Sequence, residues 1–281
     1  MTILEVRSLS KSFGRGRQRF TAFDDVSFTV EEGTITGLVG ESGCGKTTII
    51  RCIMGLESYD SGEILFDGRS LDKTGFSHRR ELSKDIQLVF QDPTASLNPR
   101  MLVEELICEG MVVHGLHGSA GQRRDEAARL LEMVGLAARD LSRYPGSFSG
   151  GQRQRIAIAR ALAVKPRLLV CDEPVSALDV SVQAQVLGLL VDMQRDLNLS
   201  MLFVAHNLAV VKQVCSSVHV LNAGRIVESG DADTILEHPQ DAYTQSLLEA
   251  VPVPDPGVAQ ARLAVRLWER SARRAETEAV L

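Results

Sequence analysis

Apolar and polar residues alternate in Ile3-Leu4-Glu5-Val6-Arg7 and again in Val26-Ser27-Phe28-Thr29-Val30. A period of two sends neighbouring side chains to opposite faces, so residues 1 to 32 are expected to open the chain with a half-buried antiparallel sheet. Gly14 to Arg19, between those runs, reads as a basic turn. Ile35-Thr36-Gly37-Leu38-Val39-Gly40 is a short apolar strand and Thr47 to Gly55 is helix-like. The glycine-rich stretch between them therefore lies at a strand-to-helix junction. Ala127, Leu130, Leu131 and Val134 recur at helical spacing within Gln122 to Val134, and Leu102 to Val113 is also helix-compatible. Residues 93 to 147 are thus predicted to be largely helical. Leu168-Leu169-Val170-Cys171 and Met201-Leu202-Phe203-Val204-Ala205 are unbroken apolar runs, as in strands buried on both faces of a parallel sheet, with a helix as the crossover between them.

The 281 residues are 44% hydrophobic and 24% charged, ordinary values for a chain with one large core and a subdomain. A net charge of -5 argues against nucleic acid as a partner, because phosphate backbones are gripped by clustered cations. No stretch reaches the roughly 20 apolar residues that a bilayer requires, and the first residues lack the order of a secretory signal. Any work at a membrane is expected to be done by docking onto it. The five cysteines, at 44, 52, 108, 171 and 215, show no CxxC spacing, which suggests neither a disulfide framework nor a metal cluster and fits a reducing cytosol. His114 and His117, beside glycines, read as solvated turn residues rather than ligands.

Gly40-Glu41-Ser42-Gly43-Cys44-Gly45-Lys46-Thr47 fits the P-loop pattern, in which glycines let backbone N–H groups curl around phosphate at the positive end of a helix. Gly40, Ser42, Gly43, Cys44, Gly45, Lys46, Thr47 and Thr48 are accordingly candidates to hold the phosphates of a nucleoside triphosphate, and a kinase, a GTPase or a motor ATPase all remain open on the P-loop alone. Lys46 is expected at the β and γ phosphates and Thr47 on Mg2+. Cys44 invites a redox reading, but the phosphate cradle does not need its side chain. The strand Leu168 to Cys171 ends in Asp172-Glu173. Asp172 is the candidate metal ligand, and Glu173 the group that orients or deprotonates water.

Between these motifs lies Phe148-Ser149-Gly150-Gly151-Gln152, a polar cap opening a helix that runs through Ile156 to Leu162. Here the chain resembles the ABC ATPase family, whose signature usually reads Leu-Ser-Gly-Gly-Gln, with Phe148 as the departure. The resemblance extends over almost the whole chain and includes Gln91, Ser176-Ala177-Leu178-Asp179 and His206 in the family's order. It implies an α/β fold: a P-loop NTPase cassette with a RecA-like parallel-sheet core, an N-terminal antiparallel β subdomain and a helical subdomain. The divisions expected are 1–92 for the β subdomain and the P-loop part of the core, 93–163 for the helical subdomain ending in the signature helix, 164–235 for the rest of the core, and 236–281 for a C-terminal extension.

The resemblance also implies a head-to-tail pair of ATPase subunits, the second being a paralogue or a second copy. Ser149, Gly150, Gly151, Gln152 and Asp179 of one would close over ATP held by the other. It places Phe13 against adenine, Gln91 at Mg2+ and at the link to the helical subdomain, and His206 beside the γ-phosphate and the attacking water. The stretch from Lys46 to Ser149 is too short for the long coiled-coil arms of chromosome and DNA-repair relatives.

Val89-Phe90-Gln91-Asp92-Pro93-Thr94-Ala95-Ser96-Leu97-Asn98-Pro99 looks like the oligopeptide, dipeptide and nickel importer branch. His238-Pro239-Gln240-Asp241-Ala242-Tyr243-Thr244-Gln245 and Val251 to Pro256 agree, although His-Pro before the tyrosine is more usual than Asp241-Ala242. Leu263 and Leu267 read as part of a surface or packing helix. That branch implies two transmembrane permease subunits, a solute-binding protein acting indirectly, and a peripheral place on the cytoplasmic face of the inner membrane. The alternative is the ATPase subunit of a soluble enzyme assembly such as the carbon-phosphorus lyase complex.

Overall fold

The computed structural model describes residues 1–14, 19–71 and 82–250. The basic turn at 15–18, the proline-rich segment after Val251 and the helix expected around Leu263 and Leu267 lie outside the described residues.

Two sheets organise the chain. In the first, β1 (Thr2–Phe13) pairs antiparallel with β2 (Phe20–Glu31) and β4 (Ser61–Phe66), and the two-residue β5 (Arg69–Ser70) pairs with β4. β1 runs well beyond the alternation visible in the sequence because a bulge resets its phase. Ser8 takes φ 45, the register slips between Val6 and Leu9, and Leu9 is buried again. Gly62 sits opposite that bulge, where a Cβ would run 2.5 Å from the Ser8 carbonyl oxygen.

The second sheet comprises β3 (Ile35–Val39), β6 (Ile86–Val89), β7 (Leu168–Asp172), β8 (Ser200–Ala205), β9 (Ser217–Asn222) and β10 (Arg225–Asp231), in the order β10-β9-β3-β8-β7-β6. All its pairings are parallel except β9 with β10. Residues of β3, β7 and β8 are buried on both faces, as their apolar runs predict. β6 and β9 were not legible as runs, since each mixes polar with apolar positions.

The two faces feed two cores. Leu38, Leu168, Val170, Leu202 and Val204 meet the antiparallel sheet across α1 (Lys46–Ile53), which buries Ile49, Ile50, Cys52 and Ile53 between the layers. Val39, Leu169, Cys171, Met201 and Phe203 face the other way, into a core continuous with the helices. Those helices are α2 (Pro93–Ser96), α3 (Val103–Val113), α4 (Ala120–Met133), two 3-10 turns at Ala138–Ser142 and Pro145–Ser147, and α5 (Gly150–Leu162). Leu106, Ile107 and Met111 of α3 meet Leu130 and Leu131 of α4 and Ile156 of α5 in that core. α6 (Val180–Leu197) is the crossover from β7 to β8, and α7 (Leu208–Val214), α8 (Ala232–Glu237) and α9 (Ala242–Glu249) follow.

Because β3, β8, β7 and β6 are parallel neighbours, the loops leaving their C-terminal ends emerge along one edge of the sheet, the usual place for a ligand in open α/β sheets. Those loops carry the P-loop, His206, Glu173 and Gln91.

Candidate functional site

The P-loop leaves β3 at Gly40 and enters α1 through Gly45, whose φ of 112 is open to glycine. A Cβ there would stand 2.6 Å from the Ala22 carbonyl oxygen of the neighbouring sheet. The helix has no side-chain cap and no acidic residue in its first turn, so no side chain of its own competes with an anion for its positive dipole end. Lys46 is buried, and its ammonium donates to the carbonyl oxygens of Gly40 at 2.6 Å and Glu41 at 2.8 Å. Its Nζ also stands 3.9 Å from Glu173 Oε1. Ser42, Gly43 and Thr47 are exposed, while Cys44 is buried. Burial pushes the Cys44 thiol up despite the nearby Lys46, which keeps it protonated and disfavours a redox role.

Asp172 closes β7 at 8% exposure. Burial first, then the charge of Glu173, raise its carboxyl above the ordinary range, against an opposing hydrogen bond from Thr47. Its Oδ1 is buried without a hydrogen-bond partner.

Glu173 adopts φ 46, a left-handed conformation that a side chain of this kind rarely takes. Its N–H is tied to the Val204 carbonyl at 3.0 Å and its carbonyl accepts from the Ser176 hydroxyl at 3.1 Å. The reversed backbone turns the carboxylate into the cleft, where Oε2 meets His206 Nδ1 at 2.9 Å and accepts from Gln91 Nε2 at 3.4 Å. Gln91 also reaches the Ser176 hydroxyl at 3.2 Å, a contact with no sequence signal of its own. Lys46, Gln91 and His206 thus converge on one carboxylate from three different loops.

Ser149, Gly150, Gly151 and Gln152 open α5 elsewhere. Ser149 Oγ accepts from the Gln152 N–H at 3.3 Å and Gln152 Oε1 accepts from the Ser149 N–H at 2.9 Å, a reciprocal cap. Phe148, in place of the usual leucine, is buried with the Arg143 guanidinium 4.3 Å from its ring centre. Gly151 lies against Val182, leaving no room for a Cβ. Asp179 is exposed at the start of α6 and makes no side-chain cap bond there. Phe13, at the end of β1, is 39% exposed with Lys11 Nζ 4.9 Å from its ring centre. Lys11 is itself buried and fixed by Glu57 at 2.8 Å and Ser58 at 3.2 Å, so the aromatic is backed by a cation tied to the chain just after α1.

The family model described as ABC transporter matches residues 23–176. The chain is 48% identical over 262 residues to the oligopeptide transport ATP-binding protein OppF of Streptococcus mutans, covering 93% of this chain and 85% of the relative. It is 43% identical over 277 residues to the oligopeptide transport ATP-binding protein AmiF of Streptococcus pneumoniae, covering 98% and 90%. Among solved structures, cbiO1 from Clostridium perfringens, part of the ABC transporter complex cbiONQ, superposes with a TM-score of 0.75 at 26% identity, over 84% of this chain and 91% of that one. The dimeric ATP-binding cassette MJ0796 in a post-hydrolysis state with ADP and Pi gives 0.73 at 26% identity, over 82% and 98%.

Proposed function

The chain belongs to the ABC transporter family, and on that premise we propose that it is the ATP-hydrolysing subunit of an importer. The solute is a peptide or a similar small molecule, nickel included. The observation that carries the proposal is the convergence of Lys46, Gln91 and His206 on the Glu173 carboxylate at the sheet edge where the P-loop opens.

In this reading the amides at the start of α1, with Ser42 to Thr48, wrap the ATP phosphates, and Lys46 leaves its carbonyl partners to meet the β and γ oxygens. Phe13 stacks on adenine. The orphaned Asp172 Oδ1 and the Thr47 hydroxyl bonded to the same carboxylate make a hard-oxygen donor set suited to Mg2+, with Gln91 as a further ligand. Bound there, Mg2+ would neutralise phosphate charge and lower the penalty for charge shifting to the leaving oxygen. Glu173 orients a water on the γ-phosphorus and takes its proton as the new P–O bond forms. The bond to the bridging oxygen breaks, releasing ADP and phosphate. His206 holds the Glu173 carboxylate and the γ-phosphate in line, and Gln91 links the site to the helical segment that begins at Pro93.

The α5 N-terminus, with Ser149, Gly150, Gly151 and Gln152, and the exposed Asp179 serve the ATP of a second, head-to-tail ATPase subunit. The dimeric form of the similar cassette supports this arrangement. Two transmembrane permease subunits complete the motor, with a solute-binding protein acting indirectly, and the chain works as a peripheral protein on the cytoplasmic face of the inner membrane. Among the described residues no helix is long and apolar enough to cross a membrane. ATP drives the permease by stabilising one of its conformations over another, and the solute need not touch this chain.

The test is isolation of the tagged full-length chain from its native membranes in mild detergent, with identification of the co-purifying chains. Two multi-span subunits are expected; recovery with soluble enzymes alone contradicts the importer and leaves the ATPase reading in place.

A further inference from the structure

The hydroxyl of Tyr243, in α9, accepts a hydrogen bond at 2.9 Å from the backbone N–H of Glu41, a residue 202 positions away in the P-loop. That N–H and the Gly40 carbonyl belong to one planar peptide unit, and the carbonyl is the oxygen that holds the Lys46 ammonium at 2.6 Å. A single rigid amide is therefore gripped at both ends, by Tyr243 from the C-terminal segment and by Lys46 from within the loop. Any rotation of that amide breaks both contacts together.

The phenol is delivered by structure around it. Glu228 of β10 accepts from the N–H groups of Gln240 at 2.8 Å and Asp241 at 3.3 Å, which anchors the start of α9 to the sheet. Asp241 then caps the helix, its carboxylate accepting from the Tyr243 N–H at 2.8 Å. Thr244 and Leu247 are buried, and Tyr243 and Leu248 pack against the core shared by the sheet and the helices. Burial pushes the phenol above its ordinary range, so it stays neutral and adds no negative charge beside the phosphate cradle.

We propose that Tyr243 is a positioning residue of the nucleotide site: its hydroxyl sets the Gly40–Glu41 peptide, and through it the backbone at the start of the P-loop, so that ATP affinity depends on the C-terminal helix. The inference rests on the reading that Gly40 to Thr48 hold ATP. Without the hydroxyl the loop samples more conformations, and ATP must order them on binding.

The variant is Tyr243→Phe in the full-length chain, which keeps the ring and its packing. ATP affinity is expected to fall about threefold to tenfold, the range for one lost hydrogen bond. The KM for ATP rises accordingly while kcat stays within about twofold. Hydrogen exchange at the Glu41 amide of the nucleotide-free protein should accelerate. Asp241→Ala, which loosens the start of α9 without touching the phenol, should shift the KM and the exchange in the same direction. Unchanged affinity and unchanged Glu41 exchange in Tyr243→Phe, with Lys46→Ala still losing ATP, would overturn the inference alone. A fall in kcat at constant affinity would overturn it as well. Wild-type ATP binding by Lys46→Ala would instead overturn the P-loop reading beneath it.

Discussion

Glu173 Oε2 and His206 Nδ1 lie 2.9 Å apart at the ends of two adjacent parallel strands, β7 and β8. The pairing is built into the sheet: Asp172 sits opposite Val204, and the Glu173 N–H is bonded to the Val204 carbonyl, one residue before the end of β8. The imidazole can then fix the carboxylate with little further ordering. His206→Ala is expected to lower ATP turnover about a hundredfold or more, with ATP binding weakened far less. Phosphate release and equilibrium nucleotide binding on the same preparation check this.

Asp172 is expected to be a site where function opposes stability. Its folded-state carboxyl holds a proton more tightly than in the unfolded chain, because of burial and then the neighbouring Glu173. Protonation therefore favours folding, and that advantage is lost as pH rises from the ordinary carboxylate value through the raised one. Above that range the ionised, partly unpaired group is a net cost to the nucleotide-free protein. Asp172→Asn should raise the melting temperature at neutral pH, the gain should shrink on acidification, and Mg2+-dependent hydrolysis should collapse. Melting curves across pH together with turnover test the pair of outcomes.

Gly45→Ala should remove ATP binding. The φ of 112 alone makes alanine strained, and its Cβ would press on the Ala22 carbonyl 2.6 Å away. Accommodation requires the P-loop to move off the antiparallel sheet. ATP affinity is expected to drop more than tenfold, with nucleotide titration as the readout.

Phe148→Leu restores the residue more usual at the head of the signature, yet it should destabilise this chain. The ring fills a buried place and lies under Arg143, and the shorter side chain loses both the contact and part of the fill. The expected cost is about 1 kcal/mol, with ATP turnover kept within a few-fold. Chemical denaturation and hydrolysis rates separate the two.

Much of this site was legible in the sequence because its chemistry is local. The P-loop spans a strand end and a helix start, and Asp172-Glu173 ends an apolar run, so neighbouring residues carry most of the signal. Gln91 and His206 were placed by resemblance, and the parallel order of β6, β7, β8 and β3 is what brings their loops to one edge. The left-handed turn at Glu173 and the bulge at Ser8 left no trace in hydrophobic pattern, since strain and phase shifts come from tertiary pairing. The bond from Glu41 to Tyr243 was equally silent, because it joins segments 202 residues apart. Asp241, a departure from the more usual His-Pro, acquires a physical reason as the cap of α9. Phe13, set against adenine by resemblance, is exposed at the end of its strand.

The central claim is that Glu173 carries out the hydrolytic step of an ATPase that works as a pair. The most direct measurement is single-turnover ATP hydrolysis by the Glu173→Gln chain with Mg2+, followed by sizing of the nucleotide-loaded protein. A fall in rate of about a thousandfold or more, with ATP retained in a dimer, is the predicted result. Undiminished hydrolysis, or a monomer with ATP bound, would contradict it.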